Sequence, residues 1–309
     1  VSSLPAPTTA PTTAPSTVRT AADAPGRDDP AEAQTLVAPP SRPRRLLTYA
    51  GMIAIALFFI APMVIVLSTS FKAGAEVFTD PGLIPHDPGL ENYEALLGGG
   101  AAFYRWFLNS LIVSFVGTLL TVVLTSMSAY AFARLDFPGK GLLFSLLITT
   151  LLLPSVMFLV PQFKLIGWLG LYDTLPALVL PGLAGVFGVF FMRQFFLGIP
   201  VELEEAAVVD GASRLRTFRS VVLPLAGSAL ATLSVITFLA FWNDYLWPAI
   251  ICQDNCTLPP GLRLLQRQFT ADYGLMMAGA VIAAVPVLVV YLVAQRWVIQ
   301  SVTSSGIKG

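Results

Sequence analysis

The sequence predicts an all-α, polytopic membrane protein, and three observations lead there. Hydrophobic residues fill 55% of the 309 positions and charged residues only 12%, against about a quarter charged in a soluble domain. The apolar residues gather into six runs of roughly 20 residues or more, the length that crosses a bilayer's hydrocarbon core. Basic residues are concentrated beside alternate ends of those runs, as the positive-inside rule requires of a chain threaded back and forth.

The runs are Leu46–Ser68, Phe107–Phe132, Leu142–Leu165, Leu175–Phe196, Leu223–Ile250 and Leu275–Ile299. Several of them are interrupted by proline, notably at Pro154, Pro161, Pro181 and Pro286. In water these would argue against long helices. Inside a bundle, neighbouring helices and polar groups satisfy the freed carbonyls, so six transmembrane helices remain the expectation. Residues 1–44 form a separate domain on composition, an N-terminal extension rich in Pro, Thr and Ala with almost no large apolar side chains. Such a segment buries too little surface to offset the entropy of ordering and is read as disordered. Residues 45–309 form the membrane domain. The late start of the first run, near Leu46, and the absence of a small-residue cleavage pattern argue against a cleaved signal peptide.

Charge placement sets the direction. Arg42, Arg44 and Arg45 precede the first run, and Arg134 and Lys140 lie between the second and third. Arg193, Arg214, Arg216 and Arg219 flank the connection between the fourth and fifth, and Arg296 and Lys308 stand near the C-terminus. The alternate connections and their edges hold only Lys72, Arg105, Lys164, Arg263 and Arg267, spread over a longer total length. Both termini are therefore expected in the cytoplasm, with the chain as a multi-pass protein of the cytoplasmic membrane and lipid as its solvent. A net charge of zero gives no reason to expect a nucleic-acid partner.

Little in the chain points to catalysis or metal binding. The single histidine, His86, makes neither a triad nor a metal site, and no H-E-x-x-H pattern is present. Gly139-Lys140-Gly141 is not the phosphate-cradling G-x-x-x-x-G-K-[ST] loop, and there is no dinucleotide fingerprint. No catalytic residue, metal ligand or cofactor is assigned. The only cysteines, Cys252 and Cys256, follow the fifth run in Cys-Gln-Asp-Asn-Cys, a spacing open to a local disulfide on an oxidising outer face.

The most informative connection is the inward one between the fourth and fifth runs. Pro200 suits a helix start, and the acids at 202, 204 and 205 favour its positive end. Leu203, Ala206 and Ala207 recur at three- and four-residue spacing, which predicts a short amphipathic helix with a small-residue face. Asp210-Gly211 offers a turn, and Arg214, Arg216 and Arg219 lead into Val221-Val222-Leu223-Pro224. From these residues two readings stand: a docking helix on the membrane surface, or a purely structural interfacial one.

Glu205-Ala206-Ala207, then Gly211, then Val221-Val222-Leu223-Pro224, resembles the EAA signature of bacterial ABC-importer permeases. Valine at 221 replaces the commoner isoleucine, a conservative departure. Ala129-Tyr130-Ala131-Phe132-Ala133-Arg134-Leu135-Asp136-Phe137-Pro138-Gly139 is similar to the stretch after the second span in carbohydrate importers of the MalG type. Trp242-Asn243 with Leu246-Trp247-Pro248, Met277-Ala278-Gly279-Ala280 and the closing Gly306-Ile307-Lys308-Gly309 are similar too. The resemblance runs from about Arg45 to Gly309.

It implies that the inward helix is a cytoplasmic coupling helix seated in a cleft of an ATPase subunit. Glu205 would be its polar anchor, Ala206 and Ala207 its close-contact surface, Asp210-Gly211 its turn, and Leu223-Pro224 the end of the motif. It also implies a permease that moves a carbohydrate without being an enzyme. The partners would be a second permease subunit, two ATPase subunits holding ATP and Mg, and an extracytoplasmic solute-binding protein. Asn243 and Asp244, bracketed by Trp242, Tyr245 and Trp247, have two readings. Polar groups at membrane depth are candidates for the translocation path, and aromatics near an interface are equally explained as anchors. A secondary transporter would explain the proline-broken spans but not the inward motif; a membrane scaffold would explain docking but not the motif's extent.

Overall fold

The computed structural model describes residues 42–72, 74, 76–79, 82–98, 101–268 and 272–305, where all regular secondary structure is helical. The disorder expected of the N-terminal extension falls, up to residue 41, outside the described residues, as does the closing Gly306–Gly309. By compactness the chain divides into residues 1–56 and residues 57–309. Helix α1 (Arg42–Thr69) begins in the first unit and ends in the second. Leu46, Leu47 and Ile53 in the first unit and Phe58, Phe59 and Ile60 in the second are all exposed, as suits a helix whose solvent is hydrocarbon.

The second unit is built around α3 (Ala101–Arg134), which follows the short α2 (Glu91–Gly98). At about 1.5 Å per residue, the 34 residues of α3 extend about 50 Å, more than a bilayer core. It packs against α7 (Val186–Leu197) and α9 (Gly227–Trp242), and α9 packs in turn on α12 (Tyr273–Ser305). The join of α2 to the end of α1 is polar and satisfied. Asn92 donates to the carbonyls of Ser70 and Lys72, and Lys72 donates to the carbonyl of Gly82.

Among the described residues, four helical stretches are long and apolar enough to cross a membrane: Arg42–Ser70, Ala102–Arg134, Gly227–Ile251 and Tyr273–Arg296. The expected third and fourth spans are bent pairs instead. Lys140–Leu152 and Ser155–Trp168 meet at 104°, and Leu175–Leu183 and Val186–Leu197 at 46°. The count is six only if each pair is one span. The sharper bend has a plain cause. The ring of Pro154 forces Leu153 out of the helical region, to ψ 130°, and α5 (Leu159–Trp168) starts anew beyond it. Pro161 sits in the first turn of α5, where no amide is missed, and Pro286 lies inside α12 without ending it.

Close packing at mid-bundle depends on two glycines. The ring of Phe241 lies between α3 and the helical turn Leu180–Leu183, and a β-carbon on Gly117 would come within 2.7 Å of it. A β-carbon on Gly182 would collide with the ring's other edge. Next to this contact, Thr121, Gly185, Phe187, Thr237, Phe241 and Asp244 line a mostly apolar hollow of about 330 Å³.

Candidate functional site

The inward connection folds as a short helix, α8 (Glu202–Val209), with Glu202, Glu204 and Glu205 in its first turn. Its end is a glycine-terminated cap. Gly211, at φ +84°, donates to the carbonyl of Val208, and Ala212 donates to that of Ala207, pairing carbonyls the helix end would leave unused. Ser213 then caps the turn Arg214–Thr217 through the amide of Arg216. A wide turn over Phe218–Val222 precedes Leu223-Pro224, where proline has no amide to give and crowds the preceding backbone.

Of the predicted residues, Glu205, Ala206, Asp210 and Gly211 are exposed and Ala207 is half-buried. Leu203, Val208 and Val209 are exposed beside them, so α8 presents an open face with apolar and acidic residues together. Leu223 is half-buried and Pro224 exposed in the short turn leading to α9.

The buried residue of α8 is Glu204, only 4% exposed, read from sequence only as one of three acids favouring the helix start. Its Oε1 accepts from Arg134 Nε at 2.6 Å and its Oε2 from the hydroxyl of Tyr130 at 3.0 Å. Arg134 Nη2 also donates to the carbonyls of Phe196, at 2.7 Å, and Ile199. The last residue of α3 therefore holds both the end of α7 and the start of α8. Around the pair, Tyr130, Phe196 and Phe218 pack ring against ring, with Met192, Ile199 and Val222 buried beneath. The signal in the sequence was a surplus: three acids stand in one turn, of which one can face inward, and an arginine closes an apolar run.

Basic residues gather at this end of α3. Arg193 donates to the carbonyl of Phe132 and stacks over Phe144, 4.2 Å from its centroid, and Lys140 pairs with Asp136 at 3.5 Å.

The other end of α3 carries the cysteines. Cys252 and Cys256 are joined in a disulfide, and Asn109 donates to the carbonyl of Cys256 while Ser110 accepts from the amide of Leu258. From Ser110 to Arg134 is about 36 Å along the helix, so the disulfide loop and α8 lie at opposite ends. The loop cups a carboxylate. Asp173 Oδ1 accepts from the backbone amides of Gln253, at 2.8 Å, and Asn255, at 3.0 Å, and that of Asp254 is also in reach. Partial burial raises the Asp173 pKa, but the three amides outweigh it and hold the carboxyl below its ordinary value.

Asn243 and Asp244 are neighbours in the chain but line different cavities. They fall in the break between α9 and α10 (Leu246–Ile251). Asn243 is exposed in a groove with Trp242, Leu258 and Ala284, whereas Asp244 enters the hollow beside Phe241 and approaches the amide of Trp247 at 3.4 Å. The indole N–H groups of Trp242 and Trp247 donate to the carbonyls of Ala283 and Ala177, and both rings are buried. These two tryptophans join helices to one another.

The fold and this arrangement define a multi-pass helical membrane protein that presents a short helix at one end of its bundle. Residues 95–304 match the family described as binding-protein-dependent transport system inner membrane component, and the chain belongs to that family. It is 33% identical to the arabinooligosaccharides transport system permease protein AraQ of Halalkalibacterium halodurans, over 84% of this chain and 95% of that one. It is 35% identical to the diacetylchitobiose uptake system permease protein NgcG of Streptomyces coelicolor, over 83% and 87% of the two chains. In fold it resembles a chain of a bacterial ABC transporter involved in the import of the acidic polysaccharide alginate. The TM-score is 0.72 at 24% identity, covering 84% of this chain and 99% of that one.

Proposed function

We propose that this chain is a permease subunit of an ATP-driven importer, carrying a carbohydrate across the cytoplasmic membrane after delivery by an extracytoplasmic binding protein. The observation that carries the reading is α8: a short helix with an open face, held to the end of the long helix α3, in a chain of this transport family. Relatives named for arabinooligosaccharide and diacetylchitobiose transport support a sugar as cargo. Two ATPase subunits supply the energy and hold ATP and Mg, and a second permease subunit completes the pathway.

In this reading α8 is the coupling helix. Ala206 and Ala207 let a partner surface approach closely, Glu205 offers it a charge, and Gly211 turns the chain away. The bundle crosses the membrane six times, counting each bent pair as one span, with both termini and α8 in the cytoplasm. Arg134, Lys140 and Arg193 at the α8 end support that orientation, as does a disulfide at the opposite end, where an oxidising compartment preserves it. Asp244, in its hollow with Thr121 and Phe241, is the better candidate of the polar pair for the translocation path.

The test is reconstitution. The chain, purified with its ATPase subunits and second permease subunit in liposomes, should take up a sugar only when loaded binding protein and ATP are both supplied. Uptake that continues without any ATPase subunit would reject the proposal.

A further inference from the structure

The buried Arg134–Glu204 pair belongs to neither the open face of α8 nor the hollow near Asp244. We infer that Arg134 is a positioning residue that makes α8 and α3 move as one body, so that displacement at the ATPase contact reaches the hollow beside Phe241. This rests on the reading of α8 as a coupling helix.

Arg134 is the final residue of α3, with a side chain 12% exposed, and two of its guanidinium nitrogens are engaged. Nε meets Glu204 on α8, and Nη2 meets the carbonyls of Phe196, near the end of α7, and Ile199, in the link to α8. Tyr130, one turn earlier, holds the second oxygen of Glu204 and wedges its ring against Phe218. A planar, always-charged fork fixes direction as well as distance, which a lysine ammonium cannot do. Thirteen positions back on the same helix, Thr121 lines the hollow, and four further on Gly117 bears on the Phe241 ring. A continuous hydrogen-bonded helix is stiff along its axis, so a load applied at Arg134 is felt at Thr121.

Arg134→Lys, Glu204→Gln and Tyr130→Phe are compared with wild type in the complete transporter in liposomes, with maltodextrin and arabinooligosaccharide mixtures as cargo probes. The readouts are the amount of ATPase subunit copurified, ATP hydrolysed, and sugar taken up per ATP. ATPase subunits should copurify with all three variants, because the open face of α8 is untouched. Sugar per ATP should fall about tenfold in the first two, the loss expected from a charged hydrogen bond of ~1.4 kcal/mol, and less in Tyr130→Phe.

A wild-type ratio in Arg134→Lys and Glu204→Gln overturns the inference, as does a loss of uptake and hydrolysis in equal proportion. Should those two fail to assemble, Tyr130→Phe decides, since it keeps the ring and removes one hydrogen bond; an unchanged ratio there overturns it. Ala206→Leu tests the docking reading alone. ATPase bound and coupled normally in Ala206→Leu sinks that reading. A defective Ala206→Leu beside normal Arg134 and Glu204 variants removes only the present inference.

Discussion

Arg134 at the end of one helix and Glu204 at the start of another, 70 residues apart in the chain, meet at 2.6 Å with Glu204 buried and Arg134 largely so. A pair of this kind is expensive to halve and cheap to replace whole. Removing one partner leaves an uncompensated buried charge, whereas removing both leaves none. Glu204→Ala should therefore lower stability in detergent by about 3 kcal/mol, and Arg134→Leu with Glu204→Ala should lie closer to wild type than either single change. Thermal unfolding of the purified chain checks both, and strictly additive losses would contradict the account.

Gly211 ends α8 in the left-handed region, where a side chain adds strain even though the space around it is open. Gly211→Val should cost about 1–2 kcal/mol locally and loosen the cap, while Gly211→Asn should be tolerated better. Protease susceptibility of the 209–213 segment, compared between the two variants, reads this directly.

The Phe241 ring fills the space that Gly117 and Gly182 leave open. Gly182→Val should destabilise by about 1–3 kcal/mol through overpacking, and Phe241→Ala in the same chain should restore part of that loss. A double-mutant cycle on thermal stability measures the coupling; independent effects would show that the ring has another place to go.

Asp173 and the disulfide loop form a clasp with a definite pH sense. The folded carboxyl is held below the ordinary value of 3.8, so its contribution is complete above that pH and is lost as pH falls through the folded value. A phosphine reductant should open the disulfide about fivefold faster in Asp173→Ala than in wild type near neutral pH, from ~1 kcal/mol in total for solvent-screened hydrogen bonds. The two rates should converge in strong acid. Mass analysis after alkylation provides the measurement, and a pH-independent gap would count against the clasp.

Much of the fold was legible because membrane spans are written in composition. An apolar run of about 20 residues has few ways to satisfy its backbone in lipid other than as a helix. Helices α1, α3, α9 and α12 cover most of the runs read from sequence. The third and fourth runs were legible as apolar but not as bent, since Pro154 breaks its helix while Pro161 and Pro286 do not. A proline's effect depends on its place in the helix and on which neighbours take up the freed carbonyls.

The sequence by itself determined that this is a helical membrane chain with a short polar-and-small-residue helix between its fourth and fifth apolar runs. Hydrophobicity, charge bias and local spacing are properties of neighbouring residues. Only the tertiary structure decided which glutamate of 202, 204 and 205 faces inward, that Arg134 and Tyr130 receive it, and that Asn243 and Asp244 part company. Those outcomes turn on contacts between residues tens of positions apart, where burial assigns partners that periodicity along one helix does not name.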